Sequence, residues 1–194
     1  QNSEYELVRI RASMAHQSNA SAAIREYQDE LNGSKYSRTA ASYGLVLAQT
    51  RARKFDEAEI SLAPLLKSAP NNIYFVVAQA DIDAGREQFD AAISRLKEKL
   101  KRYPNNHALN IRLAEIFMKN GDYKECEALL IKHSERRPKD DYVWYLLAEV
   151  HGLAGNIFEV HTARAEYFML NGLFDKAIIQ LKNARLLIKD DRFA

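Results

Sequence analysis

The residues of this chain that could take part in catalysis or hold a metal are five histidines and one cysteine. A zinc hydrolase of the HExxH type needs two imidazoles one helical turn apart. No such spacing occurs among the histidines, which are His16, His107, His133, His151 and His161. His133 comes near the end of a predicted helix, where a cation complements the helix dipole. We therefore interpret His133 as a helix-terminal cation and expect no catalytic residue and no metal site in this chain.

Cys126 is the single cysteine, so an internal disulfide is excluded. A reactive thiol would need exposure and a neighbouring cation. The spacing described below instead places Cys126 where a small residue touches a paired helix. We interpret it as a buried, inert thiol in preference to a reactive one.

Two basic segments, 97–104 (KEKLKRYP) and 132–138 (KHSERRP), resemble a nucleic-acid surface at first sight. Both occupy the last turns of predicted helices, where Lys and Arg complement the dipole, and Glu98 and Glu135 interrupt them. The formal net charge is +2, from 28 basic and 26 acidic residues. This balance does not favour nucleic acid or an anionic membrane. No glycine-rich phosphate loop is present, and we expect no nucleic-acid partner.

The chain has no apolar run that approaches the roughly 18 residues of a membrane span. It also lacks a leader with a basic start and an apolar centre. The first residue is Gln1 instead of Met. We therefore expect an excised or processed part of a longer protein, without direct membrane insertion.

The predicted helices, which would position any functional site, follow a pattern that repeats along the chain. Similar residues recur 34 residues apart. Three such series are Phe55, Phe89 and Tyr123; Leu62, Leu96 and Leu130; and Pro70, Pro104 and Pro138. Parallel series at one period indicate a repeated structural unit.

The segment 107–138 carries the tetratricopeptide pattern almost whole, with Leu113-Ala114, Gly121 and Pro138 at the expected spacing. The chain resembles that family over most of its length. The resemblance implies an all-α, right-handed superhelical solenoid of stacked helical hairpins. We predict about eleven helices and no sheet. Gly121, Gly155 and Gly172 should end helices in the left-handed conformation, and Asp122 or Asn156 should cap the helices that follow.

The repeats divide the predicted solenoid into three parts of one continuous domain. Residues 1–36 read as a degenerate N-terminal hairpin, and residues 37–157 as regular repeats. Residues 158–194 read as a repeat shifted by half a unit with a capping helix. The helix from about 157 to 170 would close one hairpin and open the next.

A solenoid of this kind presents a concave groove lined by the first helix of each hairpin. We predict that the groove-facing residues lie one and two turns along those helices, offset from the packing alanines. They are Tyr43, Leu47, Phe75, Gln79, Ile82, Ile111, Glu115, Met118, Tyr145, Glu149, Glu166 and Met169. The alternative is that several of the aromatic residues only pack neighbouring hairpins. As a set they indicate a groove for an extended or helical polypeptide with apolar anchors.

One known mode of recognition is not expected here. Chaperone-docking members of the family bind a chain-terminal carboxylate through a Lys and an Asn, and Tyr43 and Leu47 stand in their place. Capture of an acidic chain terminus is therefore not predicted.

Several segments resemble a narrower family. They are YELVRIRA (5–12), SRTAASYGLVLAQTRARKFDEAE (37–59) and HTARAEYFMLNGLFDKAIIQLKNAR (161–185). They are similar to the C-terminal repeat domain of bacterial M48 metalloproteases of the β-barrel assembly-enhancing type. The resemblance implies a zinc protease domain with HExxH ahead of the repeats, a periplasmic location, and contact with outer-membrane β-barrel proteins or their assembly machinery. None of the zinc ligands is in this chain.

Two hypotheses follow. In the first, the chain is a non-catalytic, cofactor-free recognition module that serves a parent protease and contacts its protease domain. In the second, it is a free-standing adaptor or scaffold without an attached enzyme. Both predict polypeptide binding, and they differ in what precedes Gln1.

Overall fold

The computed structural model describes residues 3–190, and these form eleven α-helices with no strand among them. The helices are α1 (Ser3–His16), α2 (Ala20–Glu30), α3 (Arg38–Arg51), α4 (Phe55–Ser68), α5 (Ile73–Gly85), α6 (Phe89–Arg102), α7 (His107–Asn120), α8 (Tyr123–Arg136), α9 (Asp141–Ala154), α10 (Ile157–Leu170) and α11 (Phe174–Asp190). The predicted all-α fold is confirmed, and the helix expected from about 157 to 170 is observed as α10.

The chain divides into two compact units, Gln1–Glu98 and Lys99–Ala194. We call them the N-terminal unit and the C-terminal unit. In the N-terminal unit, α3 packs against α1, α2, α4 and α5. In the C-terminal unit, each helix from α7 to α11 packs against the next. The three-part division inferred from the repeats stays a prediction.

Three turns of the C-terminal unit form where the sequence places glycine. Gly121, Gly155 and Gly172 have φ of 85°, 81° and 72°, the left-handed region that only glycine enters without strain. The predicted capping by the residues after them is wrong. Asp122 and Asn156 make no side-chain hydrogen bond to the helix they precede.

Side-chain caps occur elsewhere, at the starts of four helices. Asn19, Ser37, Asn72 and Asn106 each accept a hydrogen bond from a backbone N–H in the first turn of the following helix. Each therefore pairs one of the N–H groups that have no partner inside the helix. The caps fix where α2, α3, α5 and α7 begin.

The core of the N-terminal unit is apolar and aromatic. Its fully buried members include Ile10, Tyr43, Leu62, Phe75 and Ile82, and they form one cluster. Close approach of α2 and α3 depends on glycine, because a Cβ at Gly44 would lie 2.3 Å from Cε1 of Tyr27. Small residues therefore set the spacing of these helices.

Helices α7 and α8 meet at Cys126, in the C-terminal unit. Cys126 is buried, and its thiol donates a hydrogen bond to the backbone oxygen of Ala114 at 3.3 Å. Burial, with a smaller contribution from the charge of Glu127, raises the pKa of the Cys126 thiol to about 12. The prediction of a buried thiol at the hairpin contact is confirmed.

Thiol labelling should report this burial. Because the reactive species is the thiolate, Cys126 of the native chain is expected to react with a maleimide at least about a hundredfold more slowly at pH 7.5 than in 6 M urea. The measurement is mass-spectrometric labelling kinetics in both solutions. Comparable rates in both would contradict the buried environment of this thiol.

No helix among residues 3–190 is both long enough and apolar enough to cross a bilayer.

Candidate polypeptide-binding site

Five members of the predicted groove set prove to be interior residues. Tyr43, Phe75, Gln79, Ile82 and Ile111 are buried, so their predicted exposure is wrong. The physical reason is that the first helices are covered on more than one side. Helix α3 contacts four other helices, and α5 and α7 each contact at least two.

For Tyr43 and Phe75, the contacts confirm the alternative that these aromatic residues pack neighbouring hairpins. The ring of Tyr43 lies against that of Phe75, with centroids 5.8 Å apart. The Tyr43 hydroxyl accepts a hydrogen bond from Arg11 at 3.2 Å. Gln79 donates to Asp83 at 3.0 Å within α5. Leu47 is half-buried and packs against the same core.

The other six predicted residues are at least partly exposed, and all belong to the C-terminal unit. They lie on three helices: Glu115 and Met118 on α7, Tyr145 and Glu149 on α9, and Glu166 and Met169 on α10. Tyr145, Glu149 and Met169 are exposed, whereas Glu115, Met118 and Glu166 are half-buried. Their role in binding stays a prediction.

The structure joins Tyr145 to three further aromatic residues. Tyr142 stacks on Tyr145 with centroids 5.8 Å apart and an interplanar angle of 12°. Tyr145 lies 6.1 Å from Tyr167, and Tyr167 lies 5.6 Å from Phe168. These four residues form a continuous row from α9 to α10, which we call the aromatic strip. Offset and tilted rings at these distances attract one another beyond their burial.

One carboxylate and one arginine fix one end of the strip. The hydroxyl of Tyr142 donates to Oε1 of Glu115 at 2.7 Å, and Nη1 of Arg112 lies 2.7 Å from Oε2 of the same carboxylate. Burial, and then the hydrogen bond to Glu115, raises the pKa of Tyr142. Tyr142 therefore stays a neutral donor at physiological pH.

The other end of the strip carries a cation. Nζ of Lys176, on α11, lies 5.7 Å from the centroid of the Phe168 ring. An ammonium group over a ring face is attracted by the ring quadrupole. The strip thus offers aromatic surface between a carboxylate end and a cationic end, a combination suited to apolar and polar side chains of a bound chain.

Sequence reasoning missed three of the four strip residues. Tyr142 and Tyr145 are three residues apart, which places them on one helix face, and this spacing was the available signal. Nothing in the sequence marked Tyr167 as a binding residue, apart from its position next to the predicted groove residue Glu166.

His133 does not have the role that the sequence analysis gave it. It is buried, and its ring stacks on His107 with centroids 5.3 Å apart. Nε2 of His133 lies 3.0 Å from Nδ1 of His107. Burial lowers the pKa of both rings, and for His133 the neighbouring His107 lowers it further. The interpretation of His133 as a helix-terminal cation is therefore wrong.

Two other histidines join neighbouring helices. Nδ1 of His151 lies 2.8 Å from Oε1 of Glu127, which connects α9 to α8. Nδ1 of His161 lies 2.7 Å from Oε1 of Gln180, which connects α10 to α11. Within residues 3–190, no three His, Cys, Asp or Glu side chains cluster as metal ligands would.

The stacked histidines should make the stability of the C-terminal unit depend on pH. A ring whose folded-state pKa is below its unfolded value of about 6.5 binds more protons when unfolded. The stability that the neutral ring contributes to the fold is fully present above pH 6.5 and is lost as the pH falls through the folded-state pKa. We expect urea unfolding, followed by fluorescence of Trp144, to show a lower midpoint at pH 5.0 than at pH 7.5.

A variant separates this effect from general acid destabilisation. His133→Leu removes one titrating ring at similar volume, so the loss between pH 7.5 and 5.0 should become smaller. His16→Gln, at an exposed position of α1, is the control and should leave the pH dependence unchanged. An unchanged pH dependence in His133→Leu would mean that the pair does not govern it.

The sequence of this chain is similar to those of known repeat proteins. The profile of the family described as "Tetratricopeptide repeat" matches residues 84–150. The β-barrel assembly-enhancing protease of Escherichia coli K12 is 31% identical over 187 residues, which is 96% of this chain and 38% of that protein. The protease of the same name from Yersinia pestis is 29% identical over the same shares. The chain therefore spans well under half the length of these relatives.

Solved structures agree on the fold. A thermophilic TPR protein of Thermus thermophilus superimposes with a TM-score of 0.68 at 16% identity, over 95% of this chain and 100% of that one. MamA of Desulfovibrio magneticus RS-1 superimposes with a TM-score of 0.57 at 14% identity, over 81% of this chain and 98% of that one. Residues 84–150 thus match the tetratricopeptide repeat family, the described helices have the fold of a TPR solenoid, and along nearly its whole length the chain is similar to one part of the β-barrel assembly-enhancing proteases.

Proposed function

We propose that this chain is a non-catalytic polypeptide-binding module whose C-terminal unit binds segments of other proteins along the aromatic strip. The observation that carries this proposal is the row of four contacting rings from Tyr142 to Phe168, accessible beside the exposed Glu149. Aromatic residues are enriched where proteins bind proteins, because they offer large contact area at low conformational cost.

The chemistry of the strip favours apolar segments with interspersed cations. Tyr145 and Met169 supply exposed apolar surface, and Glu149 and Glu166 place two carboxylates on the same helices. Strands of outer-membrane β-barrels alternate apolar and polar residues and carry aromatic girdles. Before it folds, such a chain presents apolar side chains at short intervals. We therefore propose unfolded β-barrel proteins, or their assembly machinery, as partners.

The similarity to the assembly-enhancing proteases supports a wider proposal. The chain would serve a periplasmic M48 zinc metalloprotease in outer-membrane protein quality control. A separate protease domain would hold the zinc, and this module would also contact that domain. The second candidate is a free-standing adaptor, which is also consistent with the 38% coverage of those relatives. An HExxH helix encoded ahead of Gln1 in the native reading frame would support the first, and its absence there would support the adaptor.

Binding through the strip is tested by a paired substitution. In Tyr145→Ala/Glu149→Ala we expect the affinity for a fluorescently labelled peptide from a β-barrel strand pair to fall about tenfold or more, as for a central aromatic contact. The free energy of unfolding should fall by at most about 2 kcal/mol, because both side chains are exposed and the ring contacts of Tyr145 are the main interactions lost. Fluorescence anisotropy and urea unfolding give the two quantities.

The matched control is Ile131→Ala/Glu135→Ala. It removes an exposed apolar residue and a glutamate at the same spacing, on α8 of the same unit. It should leave the affinity unchanged. Equal losses in both variants, or a large loss of stability in the first, would contradict a binding role for the strip.

A further inference from the structure

A second exposed apolar surface lies on α11, away from the aromatic strip. Its centre is a row at alternating four- and three-residue spacing, which places the members on one helix face. They are Phe174, Ile178, Leu181, Arg185 and Ile188. Each is exposed, the four apolar members by between 44% and 64%. We call this row the α11 seam.

The repeat itself shows what normally covers this face. Leu181 follows the packing alanine Ala177 by four residues, as Leu62 follows Ala58 and Leu130 follows Cys126. Leu62 and Leu130 are each 0% exposed, whereas Leu181 is 48% exposed. Helix α4 is covered by α5, and α8 by α9. The equivalent face of α11 is therefore open to packing by one further α-helix.

A single charge distinguishes the α11 seam from the faces it matches. Arg185 stands at the position taken by Leu66 on α4 and Ser134 on α8. Leu66 packs against the core, and Ser134 is buried. Arg185 is exposed within the seam, and the exposed Lys182 lies beside it on the same helix. A helix that covers Arg185 must offer it a carboxylate, because an unpaired buried guanidinium is costly.

The same charges disfavour a second copy of α11 as the occupant. In an antiparallel pairing about Leu181, Lys182 near the centre would lie close to its own symmetry mate. Like charges at the centre of an interface oppose association. A partner with acidic flanks meets the cations of α11 without this repulsion.

We propose that the α11 seam is a docking site for one amphipathic helix of a partner protein, which takes the place of a next first helix and pairs a carboxylate with Arg185. The partner helix has an apolar row at the same spacing and acidic flanks. This site is separate from the aromatic strip and does not depend on the function proposed for it.

A charge-swap experiment tests the pairing. Two stapled helical peptides share an apolar row and acidic flanks, and differ only at the central position, Glu in one and Lys in the other. At 0.15 M salt, the chain should bind the Glu peptide about tenfold more tightly than the Lys peptide, as for a close interfacial charge pair. In Arg185→Glu the preference should reverse. Isothermal titration calorimetry gives the four affinities.

Two controls separate the alternatives. Leu181→Glu should abolish binding of the Glu peptide, and Tyr145→Ala/Glu149→Ala should leave it unchanged. Absence of binding, equal binding of both peptides, or the same preference in Arg185→Glu would overturn the proposal. So would concentration-dependent dimerisation of the chain in analytical ultracentrifugation that Leu181→Glu abolishes, because a second copy would then be the occupant.

Discussion

Leu130→Ala is expected to lower the free energy of unfolding of the C-terminal unit by about 2–5 kcal/mol, the range for a fully buried leucine truncated in a packed core. Leu130 is 0% exposed on α8, which packs against α7 and α9. Truncation removes apolar contacts and leaves a cavity that neighbouring helices fill only in part. Trp144 is the single tryptophan and lies on α9. Its fluorescence in urea therefore reports unfolding of this unit.

The matched control is Leu181→Ala, the same residue type at the same repeat position. Because Leu181 is already 48% exposed, its truncation should cost less than about 1 kcal/mol. The difference between the two variants measures how much stability a covering helix gives to this repeat position. Equal losses at both sites would mean that burial at this position does not follow the repeat.

Gly44→Ala is expected to destabilise the N-terminal unit by about 1–3 kcal/mol, as overpacking of a core does. Alanine is ordinarily the better helix former by about 1 kcal/mol. Here its Cβ would lie 2.3 Å from the ring of Tyr27, which is itself buried. The ring cannot move aside without disturbing the contact of α2 with α3. Thermal unfolding followed by circular dichroism measures the loss.

Gly152→Ala, in a helix of the C-terminal unit, is expected to have the opposite effect on stability. A Cβ there meets only Cγ2 of Val160, at 3.8 Å, an ordinary contact. The substitution should therefore stabilise α9 by about 0.5–1 kcal/mol through a smaller loss of backbone entropy. If both substitutions stabilised the chain, the close approach at Gly44 would be contradicted.

The helices and their turns could be predicted because local chemistry fixes them. Gly121, Gly155 and Gly172 each take the left-handed conformation that the sequence assigned to them. The helix expected from about 157 to 170 is observed as Ile157–Leu170. The small residue at a hairpin contact also predicted the burial of Cys126. These features depend on one residue or one repeat, and a single sequence carries that information.

The faces of the helices were harder to predict, because they depend on how many neighbours each helix has. Tyr43 and Phe75 follow the same repeat positions as exposed residues elsewhere, yet α3 is enclosed by four helices. In the C-terminal unit, the equivalent positions include Tyr145, which stays exposed. Repeat position alone cannot distinguish an enclosed first helix from an open one.

Contacts between side chains of different helices also could not be predicted from the sequence. His133 pairs with His107, 26 residues away, and burial together with this contact lowers the pKa of His133, which disfavours the cation expected there. Tyr167 joins the strip through Tyr145, 22 residues earlier on another helix. Neither partner is marked by spacing within one helix, so only the packing of helices reveals them.

The most direct test of polypeptide binding at the aromatic strip is ¹⁹F NMR of the whole chain with fluorotyrosine at its ten tyrosines. On titration with a β-barrel strand peptide, we expect the resonances of Tyr142, Tyr145 and Tyr167 to shift together, while that of buried Tyr43 stays in place. Saturable shifts confined to those three would support the account. Shifts that spare these three while others move, or no shifts at saturating peptide, would contradict it.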